Sequence, residues 1–376
     1  MRIIALGGAG DMGSRAVRDL ARQPDLEALV IGDYNETAAQ ALAEDIRDER
    51  VSARKVDATD HEGLVAALAS FDVAASAVGP FYRFERMCAA AAVEAGCHYV
   101  SLCDDYDATQ AVLELDGEAT GRGVTILTGL GWTPGISNVL ARRAAEQLDE
   151  VRAIEVAWGS SASDSEGFAV ILHTLHIFSG TVPSWQGGRL VEVAAGSGRQ
   201  RVRFPEPLGE CTVFHLGHPE PVTLPLTYES VETVTLKGGL SEDMLNWLAK
   251  LMASLRLSNT HGKRVAVAKL LKALLPVIGR IGRPAHPCSG IRVDVKGMRD
   301  GETTTITYGA ADNMERLTGL PLAIGAAMIG RGEITQRGVM APEACIPPDT
   351  FIAELAKRSI TVYEGDLLEA PLAAET

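Results

Sequence analysis

The chain begins Arg2-Ile3-Ile4-Ala5-Leu6-Gly7-Gly8-Ala9-Gly10-Asp11-Met12-Gly13. A run of strand length leads straight into Gly8-x-Gly10-x-x-Gly13, and Met12, Ala16, Val17, Leu20 and Ala21 then recur at helical spacing. The pattern predicts strand, tight glycine turn, helix. In that arrangement Gly8 permits the turn, Gly10 lets backbone approach a pyrophosphate, and Gly13 lets the helix pack closely on the strand. The phosphates would rest at the helix N-terminus, where unpaired N–H groups and the macrodipole favour negative charge.

The next apolar run, Ala28-Leu29-Val30-Ile31, ends at Asp33. A dinucleotide-binding unit places there the acid that accepts hydrogen bonds from the adenosine ribose. The plainer reading is a βα turn followed by a solvated loop acid, but strand, glycine spacing, helix and acid would then coincide by accident. A carboxylate at Asp33 would repel a 2′-phosphate, and Tyr34 and Asn35 supply no cation for one. The sequence therefore favours NAD over NADP.

Outward from this unit the alternation continues. Strands are expected at Val51–Val56, Asp72–Val78, His98–Leu102 and Val124–Leu127, with helices between them, the last a longer one reaching Arg122. Six strands alternating with helices give an α/β fold, a Rossmann doubly wound parallel sheet, which binds ligands at the carboxyl ends of its strands. Asp57 and Ala58 fall at the adenine edge or form a plain surface turn. Gly79 and Pro80 fall on the path beneath the cofactor diphosphate and nicotinamide ribose.

The composition shifts at Gly129-Leu130-Gly131-Trp132-Thr133-Pro134-Gly135-Ile136-Ser137-Asn138. Beyond it, separated β-branched strands with helices at Ser241–Leu257 and Lys263–Ile278 suggest an α+β domain. The expected organisation is a dinucleotide-binding domain over residues 1–128, a second α+β domain over 129–310, and helices and a strand over 311–376 that return to pack on the two domains.

At 376 residues the chain has room for two cores. A net charge of −14 argues against nucleic acid as a partner, since phosphate binding is built from excess Lys and Arg. The six cysteines form no C-x-x-C pair and read as buried free thiols in a reducing cytoplasm. Residue 1 enters the first strand almost at once, which leaves no room for a signal peptide. The apolar stretch Val265–Ile281 is too charged and too short to span a bilayer.

With the glycine turn, Val78-Gly79-Pro80-Phe81, Gly96-Cys97-His98-Tyr99-Val100-Ser101-Leu102, Gly131–Asn138, Gly217–Pro225, Leu317–Ile334 and Gly338–Glu343, the chain resembles the saccharopine dehydrogenase-like family over nearly its whole length. The resemblance implies a nicotinamide-dependent oxidoreductase acting at a carbon–nitrogen bond of an amino acid, opine or polyamine derivative. It implies that Gly8, Gly10, Asp11, Met12 and Gly13 contact the pyrophosphate, Asp33 the ribose, and Val78 and Gly79 the nicotinamide half. It also implies that the α+β domain serves substrate binding and homodimerisation.

Such chemistry needs a base for the proton of the amine, because the nitrogen lone pair assists hydride departure. His173, His176, His215 and His218 cluster in sequence. His218 and His176 are the candidate bases, each weighed against a structural role, with Asp104 a third. Ligand spacing for a metal is lacking. Arg189 and Arg83 could bind a substrate carboxylate bidentately or be surface charges, and Asp105 could bind a substrate ammonium or cap a helix. Two rivals stand: a semialdehyde dehydrogenase with Cys103 as nucleophile, and a non-catalytic NAD-binding sensor.

Overall fold

Ile3, Ile4, Ala5 and Leu6 are all buried, so the first strand is covered on both faces as a central parallel strand must be. The computed structural model describes residues 1–164, 168–254, 260–278 and 287–372. From the N-terminus come β1 (Arg2–Leu6), α1 (Asp11–Leu20), β2 (Ala28–Asp33), α2 (Glu36–Ile46), β3 (Val51–Lys55), α3 (His61–Leu68), β4 (Val73–Ser76), α4 (Phe81–Ala95), β5 (His98–Ser101), α5 (Tyr106–Leu113), α6 (Asp116–Arg122) and β6 (Thr125–Leu127). Asn35 and Asp60 cap α2 and α3, each accepting a backbone N–H three residues on. The single helix expected before Arg122 is two, separated at Glu114-Leu115, where Leu115 turns into the core.

Next come α7 (Ile136–Ala145), β7 (Glu150–Ser160), α8 (Phe168–Ile177), β8 (Thr181–Gln186), β9 (Arg189–Ala194), β10 (Gln200–Arg203), β11 (Glu210–His215), α9 (Glu220–Thr227), β12 (Thr233–Leu240), α10 (Asp243–Ser254), α11 (His261–Ile278), β13 (Ser289–Arg299) and β14 (Glu302–Asp312). The parts of the expected helices and apolar stretch at Leu255–Leu257 and 279–281 lie outside the described residues. The chain closes with α12 (Met314–Gly330), β15 (Gly338–Met340), α13 (Pro342–Cys345), α14 (Pro348–Lys357), β16 (Val362–Glu364) and β17 (Ala370–Pro371).

These elements form two units. The first comprises Met1–Ile136 and Glu315–Pro347, and the second Ser137–Met314 and Pro348–Thr376. In the first, a seven-stranded parallel sheet has the order β15-β6-β5-β4-β1-β2-β3. The seventh strand, three residues from the tail, pairs with β6 from Gly338↔Thr125 to Met340↔Leu127. Helix α12 reaches this unit through small residues: a Cβ on Gly319 would stand 2.6 Å from the Met12 carbonyl oxygen.

The second unit is a ten-stranded mixed sheet with the path β10-β11-β12-β7-β13-β14-β16-β17, and β8 and β9 branch from β12. Its long strands alternate: Ile154, Val156 and Trp158 of β7 and Ile291, Val293 and Val295 of β13 are buried, while Glu155, Arg292, Asp294 and Lys296 lie on the opposite, polar face.

Candidate functional site

The parallel topology brings the ends of β1 to β6 to one edge of the first sheet. At the end of β1 each glycine has its own task. Gly7 holds a left-handed φ of 67°, and a Cβ on it would press on Ala77 backbone. A Cβ on Gly8 would stand 2.9 Å from the Ala5 carbonyl oxygen, and one on Gly13 2.3 Å from that of Gly7, so these two set the close approach of strand and helix. Gly10 differs. A Cβ there would meet only the Gly7 oxygen at 3.4 Å, and Gly10 is the N-cap of α1 without a side chain to cap it.

The open space at Gly10 therefore serves no packing need. It leaves the first-turn amides of Asp11, Met12 and Gly13 for an external acceptor, which fits a dinucleotide pyrophosphate.

Asp33 ends β2 with both carboxylate oxygens engaged. One accepts the Ala9 N–H at 3.0 Å and the other the Asn35 N–H at 2.9 Å, so the acid is pinned to the glycine turn. Lys55 stands opposite Asp33 in the β2–β3 register, and its ammonium lies 5.4 Å from the centre of the exposed Tyr34 ring. This is a cation that reading Tyr34 and Asn35 alone did not find. Asp57 accepts the Thr59 N–H and hydroxyl, which hold its carboxyl below its usual range, and Ala58 packs against the core.

Val78, Gly79 and Pro80 follow β4 and lead into α4, with Pro80 as its N-cap. Asp105 is buried, and its carboxylate accepts the Tyr82 N–H at 2.8 Å, fixing the first turn of α4. Asp104 precedes it, half-buried. Arg83 is exposed, its guanidinium over Phe84. Cys103 lies sealed in the core and burial pushes its thiol well up, which withdraws the thiolate a semialdehyde dehydrogenase would need.

Sequence reasoning missed Glu85, which the surrounding Phe81-Tyr82-Arg83-Phe84-Glu85-Arg86 presents as one charge among many on a surface helix. It is 1% exposed. Three hydroxyls donate to it: Tyr99 at 2.9 Å, Ser101 at 2.5 Å and Thr128 at 3.2 Å. Burial pushes its carboxyl up to about 7.

In the second unit, the buried cluster centres on His218, 2% exposed, just ahead of α9. Its ring lies edge-on to His173 with centroids 5.3 Å apart and 5.9 Å from the indole of Trp158. The indole has room because Gly238 faces Trp158 in register across β12 and β7, where any Cβ would strike the ring. Glu220 is fully buried. It accepts the Ser137 hydroxyl at 3.0 Å, and its other oxygen is 3.9 Å from His218 Nδ1. Glu220, His173 and Trp158 were not singled out from sequence as site residues.

The other expected residues of this unit are placed elsewhere. His176 meets the Arg264 guanidinium at 2.5 Å between α8 and α11, and Arg189 is exposed at the turn of the β8–β9 hairpin.

An open glycine turn with an acid pinned to it defines the first unit as a pyridine-nucleotide-binding Rossmann unit, joined in one chain to a mixed-sheet unit with a buried imidazole–carboxylate cluster. The chain belongs to the saccharopine dehydrogenase family: the saccharopine dehydrogenase NADP binding domain matches residues 3–127 and the saccharopine dehydrogenase C-terminal domain residues 131–360.

A carboxyaminopropylagmatine dehydrogenase of Synechocystis sp. is 22% identical, over 97% of this chain and 98% of its own. A carboxynorspermidine synthase of Vibrio cholerae is 24% identical over 92% of each chain. The apo saccharopine dehydrogenase (L-Glu forming) of Saccharomyces cerevisiae shares the fold, with a TM-score of 0.70 at 17% identity over 99% of this chain and all of its own.

Proposed function

We propose that this chain is a nicotinamide-dependent oxidoreductase that makes or breaks a C–N bond of an amino-acid, opine or polyamine derivative by amine/imine hydride transfer. The observation that carries the reading is the glycine turn open at Gly10 with Asp33 pinned to it, in a chain whose two units both match this family. With the dinucleotide held by its pyrophosphate at this turn, its nicotinamide would supply hydride transfer. The chain's own part is to hold the dinucleotide, with Gly8, Gly10, Asp11, Met12 and Gly13 at the pyrophosphate and Val78 to Pro80 toward the nicotinamide.

His218 is our candidate for the proton acceptor. Glu220, 3.9 Å from Nδ1, would favour the imidazolium once formed. The test is oxidation of reduced cofactor, followed by its absorbance, with a panel of amines and 2-oxo acids or aldehydes, and the reverse with the secondary-amine products. Dinucleotide binding without turnover across that panel would favour a sensor.

On the cofactor, we propose NAD as the preferred form, since Asp33 sets a fixed negative charge where a 2′-phosphate would lie. A specific observation supports NADP instead: Lys55 over Tyr34, opposite Asp33. Comparing kcat/KM for the two cofactors decides between them. We also propose a homodimer in the reducing cytoplasm. Self-association is supported by Met244, Trp247 and Leu251, an exposed apolar stripe at i, i+3 and i+7 of α10, and the compartment by six thiols outside any disulfide. Among the described residues no helix is long and apolar enough to cross a membrane. Light scattering of Trp247→Glu against wild type tests the pairing.

A further inference from the structure

Ser76, Ser101 and Thr128 form a row. Ser76 is the last residue of β4 and pairs in register with Ser101, the last of β5, while Thr128 follows the end of β6 beside it. All three are buried. Glu85 descends onto this row from α4 and takes the hydroxyls of Ser101 and Thr128 on one oxygen and that of Tyr99 on the other. The Ser76 hydroxyl lies 3.5 Å from the Val78 N–H. Two residues beyond each of these strand ends come Val78-Gly79, Cys103-Asp104 and Gly129-Leu130. One carboxyl thus joins the exits of β5 and β6 to the helix that starts at Pro80.

We infer that Glu85 is a positioning residue for the nicotinamide end of the cofactor, and that by holding or releasing one proton it sets whether that end meets a neutral or a negative floor. The inference rests on the cofactor reading above. Oxidised nicotinamide is cationic and reduced nicotinamide is neutral, so a charge beneath them distinguishes the two forms of the cofactor, whereas a hydrogen-bonded but neutral carboxyl does not.

The groups facing Glu85 leave that charge unbalanced. From its own helix comes Cys88, from β5 Tyr99, and from the exit of β5 Cys103 and Asp105. The thiols and the phenol are pushed up by burial and stay neutral. The electrostatic influence of Asp105 raises the Glu85 carboxyl further. No Lys or Arg contact to Glu85 exists among the described residues. Protonation is therefore poised to change near neutral pH, and linkage requires that oxidised cofactor release the proton that reduced cofactor retains.

The experiment measures Kd for oxidised and reduced dinucleotide on the full chain from pH 6 to 8.5, for wild type and Glu85→Gln. In wild type the ratio of Kd for the oxidised to that for the reduced form should fall as pH rises through about 7, by roughly 3- to 20-fold for charges on the order of 10 Å apart at an effective dielectric near 20. In Glu85→Gln the ratio should stay flat at the low-pH value. A merely structural Glu85 would leave the ratio's pH dependence unchanged by the substitution, and that result overturns the inference.

Should Glu85→Gln not fold, infrared difference spectra of wild type near pH 7 serve instead. A protonated-carboxyl band lost on adding oxidised cofactor and kept with reduced cofactor is expected, and an equal band with both overturns the inference. A wild type that binds neither form overturns the cofactor reading itself, and this inference with it.

Discussion

Glu85 and Glu220 are two equally buried carboxyls, one in each unit, with opposite surroundings. Among the described residues, Glu85 faces hydroxyls, neutral thiols and another acid. Glu220 accepts the Ser137 hydroxyl and lies 3.9 Å from an imidazole that can carry positive charge. A buried carboxyl without a cation is stabilised by keeping its proton, whereas one beside an imidazole stabilises a proton on its neighbour. The first arrangement suits a residue that sets a local charge, the second one that equips a base.

The largest break in this contrast comes from the second unit. His218→Asn should lower kcat by roughly 10²–10⁴-fold with cofactor Kd unchanged, as for loss of a general base. Glu220→Gln should lower it less and shift the acidic limb of the kcat–pH profile downward, because it acts through His218. Steady-state kinetics over pH checks both, and a His218→Asn enzyme with wild-type kcat removes the base from this cluster.

Next in size is a contrast within the glycine turn. Gly10→Val should weaken dinucleotide binding by roughly 100-fold or more with little change in Tm, because its Cβ has open space and the ligand would be what it blocks. Gly13→Val should instead lose the fold, since even its Cβ would drive into Gly7. Calorimetric titration with thermal melts separates the two, and tight binding by Gly10→Val would place the pyrophosphate elsewhere.

The cofactor preference carries a smaller effect, about tenfold. Asp33→Arg should raise kcat/KM for NADP and lower it for NAD, while Lys55→Ala should lower it for NADP alone, by the scale of one charge-assisted contact. If Asp33→Arg changes neither cofactor's kcat/KM, the carboxylate does not face the ribose.

Geometry decided locally was legible in the sequence, and geometry that depends on register was not. The glycine turn, Asp33 and the βα alternation are decided by spacings of a few residues, so their reading needs no tertiary information. Strand β15 is three residues long and stabilised by pairing with β6, 211 positions from Thr125 to Gln336, whose carbonyl accepts the Thr125 hydroxyl. Nothing in Gly338-Val339-Met340 announces that. Trp158 and Gly238 become a matched pair only when β7 and β12 lie in register. Glu220 sits between Pro219 and Pro221, a context that reads as loop and conceals α9. Glu85 is betrayed by no charge pattern, because its burial follows from the side of α4 that meets Tyr99.

The smallest expected effect tests the Glu85 half of the contrast through stability. Its carboxyl stands at about 7 in the folded chain against 4.5 when free, so the folded state holds a proton that the unfolded state has released between those values. That contribution is fully present below about pH 4.5, is lost as pH rises through about 7, and is worth about 3 kcal/mol over the window. Relative to Glu85→Gln, wild type should therefore melt progressively lower from pH 5 to pH 8 as this contribution is lost. Glu85→Gln, neutral throughout, should lose less over the same range and exceed wild type at pH 8. The carboxyls held below their usual range, at Asp25, Asp48, Asp57 and Glu354, titrate at lower pH, while His98 and His215, held down by burial, oppose the trend below about pH 6.5 equally in both proteins and cancel in the comparison. Parallel pH–Tm curves for the two proteins would mean that Glu85 is ionised in the fold already, with its three hydroxyls as donors enough.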